Sequence, residues 1–183
     1  MTYDLSGKKV AFLLTDGYED SELTEPWKAV TEAGASALLV SPKPSEVTGK
    51  KGHTQAVDAV VTSVDAEHYD ALVLPGGVVN ADHLRMDEAA VRFTKDFFEQ
   101  GKPVSVICHG AWILIEADVV RGREITSYPS LKTDLINAGA EWVDEEVVVD
   151  QGLTSSRTPK DLPAFCAKTV EEIYEGEHAG QTA

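Results

Sequence analysis

Val104-Ser105-Val106-Ile107-Cys108-His109-Gly110-Ala111-Trp112 is a short apolar run that stops on a thiol, an imidazole and a glycine. Four consecutive apolar or small residues read as a buried strand, and residues 109–117 have helical composition, so a strand turns into a helix at Cys108. The same unit recurs outward from this point. Upstream, residues 87–100 are amphipathic, with Val91, Phe97 and Phe98 on one face and Gly101 as the stop. Before them a strand over residues 70–74 runs into Pro75-Gly76-Gly77. The first unit is a strand over residues 9–14, the turn Thr15-Asp16-Gly17, and a helix carrying Leu23, Trp27 and Val30 that Gly34 closes. Pro26 is acceptable there only within a first turn. A second strand follows over residues 37–40, and residues 47–63 alternate weakly as small antiparallel strands. Downstream, Ile125, Trp142-Val143, residues 147–149 and Leu153-Thr154 read as short strands, and residues 131–138 and 162–174 as helices. Strands separated by helices of about a dozen residues predict an α/β fold: a mostly parallel central sheet with helices on both faces, a three-layer sandwich.

Composition narrows the partners. The 183 residues carry 31 acidic and 16 basic side chains, net −15, and 43% are hydrophobic. That describes a soluble single domain, with a core over residues 8–175 and a loose small-polar tail over 176–183. A strongly acidic surface repels phosphate backbones, which argues against nucleic acid. No apolar run approaches the ~20 residues needed to cross a bilayer, and the apolar run after Lys9 is too short for a secretory leader, so a cytoplasmic location is expected. No glycine-rich phosphate loop appears, and His53, His68, His83 and His178 fall at no ligand spacing, so neither a cofactor nor a metal is expected.

The two cysteines are far apart and in no Cys-x-x-Cys pairing. Cys166 falls on the stripe Leu162, Cys166, Thr169, Ile173 and reads as core. Cys108 sits on a sharp strand-to-helix turn, the geometry of a nucleophile elbow, with only the second glycine of the usual pattern (Gly110) present. A helix start favours a thiolate, lowering its pKa from about 8.5 into the ~3.5–7.5 range. Two further strand ends converge on this edge. Gly76-Gly77 offers a backbone N–H to an oxyanion, and Glu19 or Asp20 either approaches the sulfur or serves the helix start.

These residues resemble the ThiJ/PfpI superfamily, in its PfpI-type intracellular cysteine peptidase and stress-protein branch. The likeness runs from about Lys8 to Tyr174. It rests on Asp16-Gly17-Tyr18-Glu19-Asp20-Ser21-Glu22-Leu23, Ala71-Leu72-Val73-Leu74-Pro75-Gly76-Gly77, Gly101-Lys102-Pro103 leading to Ile107-Cys108-His109-Gly110, Ile115-Glu116-Ala117-Asp118, Thr126-Ser127-Tyr128-Pro129 and Asn137-Ala138-Gly139-Ala140. The resemblance implies a flavodoxin-like fold shared with class I glutamine amidotransferases. It implies Cys108 as nucleophile, His109 as its partner, the N–H groups of Gly77 and His109 as oxyanion hole, Glu19 as a protonated acid at the sulfur, and Tyr128 at the mouth. In PfpI-like peptidases a neighbouring subunit supplies a third catalytic group, a glutamate. The loop after Gly77 is one residue longer here and Asp82 falls closest to that position, which implies self-association as a homodimer or hexamer. Ala111 replaces the proline often found after His-Gly. The implied activity is that of a cysteine hydrolase acting on a peptide bond or a glyoxal adduct. The alternative is a redox-sensing protein whose cysteine is oxidised rather than catalytic.

Overall fold

The computed structural model describes residues 2–183. In chain order its elements are β1 (Lys9–Leu13), α1 (Asp20–Glu32), β2 (Ser36–Ser41), β3 (Glu46–Thr48), β4 (Thr54–Ala56), β5 (Ala59–Val60), β6 (Ala71–Leu74), α2 (Val78–Arg85), α3 (Glu88–Glu99), β7 (Val104–Ile107) and α4 (Trp112–Glu116). The chain continues through β8 (Glu124–Ile125), α5 (Lys132–Asn137), β9 (Glu141–Trp142), β10 (Val148–Asp150), β11 (Leu153–Ser156) and α6 (Leu162–Glu175).

Beyond Lys9, the central strands β1 and β6 have no polar face because both sides of the sheet are covered. Along β1 and just past it, Val10, Phe12 and Leu14 enter one apolar cluster while Ala11 and Leu13 enter another. In β6, Ala71 and Val73 go with the first set and Leu72 and Leu74 with the second. This is the period of 2 expected of a strand. Helices α1 and α6 pack together on one face, and α2, α3 and α4 pack together on the other. The seven-stranded sheet runs β10-β11-β7-β6-β1-β2-β5. Every pair in it is parallel except β10 with β11. This is the flavodoxin-like α/β arrangement. After β2 is laid on one side of β1, the chain crosses to place β6 on the other. The carboxyl ends of β1, β6 and β7 therefore border the crevice where such sheets bind ligands.

Four local expectations need correction. Pro26 lies in the second turn of α1, buried; its missing N–H leaves the Glu22 carbonyl without its usual helical donor. The continuous helix expected over residues 109–117 is a 3₁₀ turn, Cys108–Ala111, followed by the five-residue α4. Helix α2 has no counterpart in the sequence pattern, because it starts directly on Val78-Val79 after two glycines. The tail, expected to be loose, makes specific contacts with the domain. His178 donates its backbone N–H to Gly101 O (2.8 Å), buried Gln181 donates to Lys102 O (3.1 Å), and Arg123 donates to Thr182 O (2.6 Å).

Candidate active site

Ile107 ends β7 in extended conformation, and Cys108 then turns the chain with φ +62°. A residue with a Cβ is strained there by roughly 1–2 kcal/mol, so neighbouring packing must hold it. Two close approaches do so. A Cβ on Gly110 would come within 2.8 Å of Leu74 O, and one on Gly76 within 2.7 Å of Cys108 Cβ. The elbow is thus wedged against the end of β6, which explains a glycine at each position. Fully buried Asn80 ties the loops after β1 and β6 together. Its Oδ1 accepts from Thr15 N (2.7 Å), and its Nδ2 donates to Gly76 O (2.9 Å) and Pro75 O (3.2 Å).

The backbone N–H groups of His109 and Gly77 both face the Cys108 sulfur. His109 Nδ1 lies 3.2 Å from Sγ, and its Nε2 lies 3.3 Å from Ser130 Oγ. With Nδ1 accepting from the thiol, Nε2–H donates to Ser130. Tyr128 stacks on the imidazole at 4.5 Å between centroids, and Trp112 meets it edge-on at 5.2 Å. Burial and the nearby Lys50 ammonium hold the imidazole below its ordinary pKa. At neutral pH it is the uncharged form, able to take a proton.

The structure brings Cys108, His109, Gly77 and Tyr128 together and leaves Glu19 and Asp82 out. The Glu19 carboxylate is held by Lys50 (2.7 Å) and Lys51 (2.8 Å) from the turn between β3 and β4. Burial would raise its pKa, but the two ammonium groups keep it below the ordinary carboxylate value. A charged, doubly paired carboxylate does not serve as a protonated acid at the sulfur. Glu22 occupies that place. Its Oε1 accepts from Gly76 N at 2.9 Å, its Oε2 is buried with no hydrogen-bond partner among the described residues, and the carboxyl faces the Cys108 thiol. Burial pushes Glu22 up to about 8, with the Gly76 N–H opposing and the Glu19 carboxylate reinforcing. Most of it is protonated at pH 7.

Asp82 is exposed on α2 and makes no hydrogen bond to His109; Ser130 takes that position within the chain. The surroundings of the thiol oppose the low pKa expected from a helix start. Burial and the Glu22 carboxylate push Cys108 up to about 12, against the pull of the His109 and Gly77 N–H groups. No long helix begins at the elbow to supply a strong dipole. The sequence does hold a signal for Glu22. Together with Pro26 and Val30 it forms a stripe at intervals of four, and an acid on a buried stripe needs a reason to be there. Nothing in the local pattern marks Ser130 or Asn80, which reach the site by tertiary contact. Asp20 is structural, since its carboxylate accepts from the backbone of Lys51 (3.1 Å) and His53 (2.9 Å) and clamps the turn that carries both lysines.

The DJ-1/PfpI family profile matches residues 8–172. A deglycase of Pyrococcus abyssi is 47% identical over 163 residues, covering 89% of this chain and 98% of its own length. YraA of Bacillus subtilis, named as a candidate cysteine protease, is 48% identical over 159 residues, covering 86% and 94%. Among solved structures, a two-domain protein of Anabaena variabilis with DJ-1/ThiJ/PfpI-like and ferritin-like domains superposes with a TM-score of 0.89 at 34% identity. It covers 96% of this chain and 50% of that one.

Proposed function

We propose, for a chain that belongs to the DJ-1/PfpI family, a hydrolase in which Cys108 attacks the carbonyl of a glyoxal adduct or of a peptide bond. The observation that carries this reading is the pairing of the Cys108 thiol with neutral His109 at 3.2 Å, beneath backbone N–H groups from two separate loops. The thiol does not need to be ionised beforehand. As sulfur closes on the carbonyl carbon, its proton passes to His109 Nδ1 and the carbonyl electron pair moves onto oxygen, where the N–H groups of Gly77 and His109 receive it. Ser130 holds the imidazole in the required tautomer and the imidazolium returns the proton to the departing amine; on a peptide, water then attacks the thioester, giving its proton to His109, so that the acid leaves and the thiol is restored. Glu22, protonated at neutral pH, spares the sulfur a neighbouring anion while its charge develops.

Names given to the relatives favour the adduct over the peptide as substrate. In the adduct the amine is carried by the carbinol carbon beside the attacked carbonyl, and it leaves with the proton from His109 as the carbinol O–H gives up its own proton and becomes an aldehyde. Self-association belongs to the proposal too, with exposed Asp82 as the acid offered to a second copy. Because Ser130 already meets Nε2, this acid is expected to assist rather than to complete the site. The test is release of free amine from a methylglyoxal adduct of N-acetyl-lysine, run beside a peptide substrate. The wild-type chain is expected to act on the adduct and Cys108→Ala to lose at least ~10³-fold. Full activity in Cys108→Ala would remove the reading.

A further inference from the structure

At the amino-terminal ends of the parallel strands, three side chains from one short stretch of sequence meet. Glu172 and Glu175 lie one turn apart on the last turn of α6, so they share a face. Gly176, with φ +84°, then turns the chain back and brings His178 onto the same spot. His178 Nε2 stands 3.0 Å from Glu172 Oε2 and 3.8 Å from Glu175 Oε2, and the three ligand atoms lie within 4.8 Å of one another. Glu172 is 5% exposed, yet its Oε2 makes no hydrogen bond among the described residues; the Nε2 of His178, buried beside it, makes none either. Two buried polar atoms at contact distance, aimed at one point without a properly directed bond between them, leave a positive charge wanting there.

We propose that Glu172, Glu175 and His178 bind a divalent transition-metal ion, with zinc the best match, and that this ion fastens the tail to the domain. One imidazole and two carboxylates suit zinc, whose ligand atoms at about 2.1 Å stand roughly 3.4 Å apart in a tetrahedron. The observed separations of 3.0 and 3.8 Å bracket that value. Glu175, half exposed, leaves a fourth position open to water. His178 is also where the tail is anchored. Its backbone N–H bonds to Gly101 O, and its ring packs where a Cβ on Gly152 would come within 3.1 Å. An ion here would join α6, the turn before β7 and the turn between β10 and β11. The sequence Glu-x-x-Glu-Gly-x-His holds a single histidine, which is why a search for paired histidines passes over it.

The site lies at the opposite end of β7 from Cys108, roughly 20 Å away at about 3.3 Å per residue, so the role is structural. Because Cys108 and His109 are themselves capable of holding zinc, the test must separate the two ends. The untagged full chain, stripped with chelator, is titrated with zinc chloride in wild-type, Cys108→Ser, His178→Gln and Glu175→Gln forms. Expected is one ion per chain with micromolar or tighter affinity in wild type and in Cys108→Ser, loss of that ion in His178→Gln, and at least tenfold weaker binding in Glu175→Gln. X-ray absorption should give a nitrogen and oxygen shell without sulfur, and a hundredfold excess over Kd should raise Tm by roughly 5–10 °C. The two more exposed ligands are chosen so that folding of the variants is not in question. Undiminished binding in His178→Gln, sulfur in the shell, loss of the ion in Cys108→Ser, or no saturable binding at all would each overturn the proposal. In the last case the cluster is a His–Glu contact that anchors the tail without an ion.

Discussion

Cys108 and Cys166 begin from the same handicap, since burial pushes each thiol up to about 12. Cys166, on α6, is even the more exposed of the two. What separates the regions is what stands beside the sulfur. Along α6 the Cys166 thiol faces α1, where its one charged influence is the unfavourable Glu25 carboxylate. At the elbow, a positive-φ turn, two glycines and buried Asn80 bring a base, two N–H donors and a protonated acid onto one atom. On the proposed reading, reactivity in this chain is a property of assembled neighbours rather than of exposure or an intrinsically acidic thiol.

The sharpest way to break the contrast is to remove the two sulfurs in turn. Cys108→Ala should lose at least ~10³-fold in kcat/KM while Cys166→Ala stays within about twofold, both measured on the glyoxal adduct. Equal losses would mean that the α6 cysteine shares the chemistry. His109→Gln comes next, with kcat lowered ~10²–10⁴-fold and KM little changed, because the base acts as the bond forms.

Glu22 sharpens the contrast through stability. Its folded pKa, about 8, lies above the ordinary 4.5, so the folded chain keeps a proton that the unfolded chain gives up. Stability contributed by this group is therefore full below about pH 4.5 and falls as pH climbs toward 8, by a few kcal/mol in order of magnitude. Glu22→Gln, which preserves the bond to Gly76 and a donor toward sulfur, should flatten that slope. It should raise Tm by roughly 5–15 °C at pH 8 and have little effect at pH 4.5, as scanning calorimetry across this range would measure. A Tm lowered at pH 8 would mean that the carboxylate itself is needed. Ser130→Ala is the smallest change, with kcat reduced about three- to tenfold, KM unchanged, and the acidic limb of the pH profile moved as the imidazole loses its tautomer partner.

The strands are legible in the sequence because both faces of this sheet are covered, which leaves short runs that are apolar throughout, as at residues 71–74, or broken only by a small serine, as at 104–107. Cys108, His109 and Gly77 are legible as breaks in those runs at one edge of the sheet, and Tyr128 through the family resemblance alone. Glu19 is easily mistaken for Glu22 because both lie near the start of α1. Choosing between them requires knowing that the helix turns position 22 toward β6 and the elbow and leaves position 19 to the lysine turn. Composition makes the tail look loose, whereas its anchors, Gly101, Lys102 and Arg123, are distant in sequence and carry no local mark.

If neighbours rather than exposure make one thiol reactive, competitive alkylation is the most direct measurement. Native protein is treated at pH 7 with limiting iodoacetamide, and the adducts on Cys108 and Cys166 are timed by mass spectrometry in wild type and in His109→Gln. The expected result is alkylation of Cys108 at least tenfold faster than Cys166 in wild type, with that advantage largely lost in the variant. Faster labelling of Cys166 in the wild type, or a Cys108 advantage that survives intact without the imidazole, would contradict it.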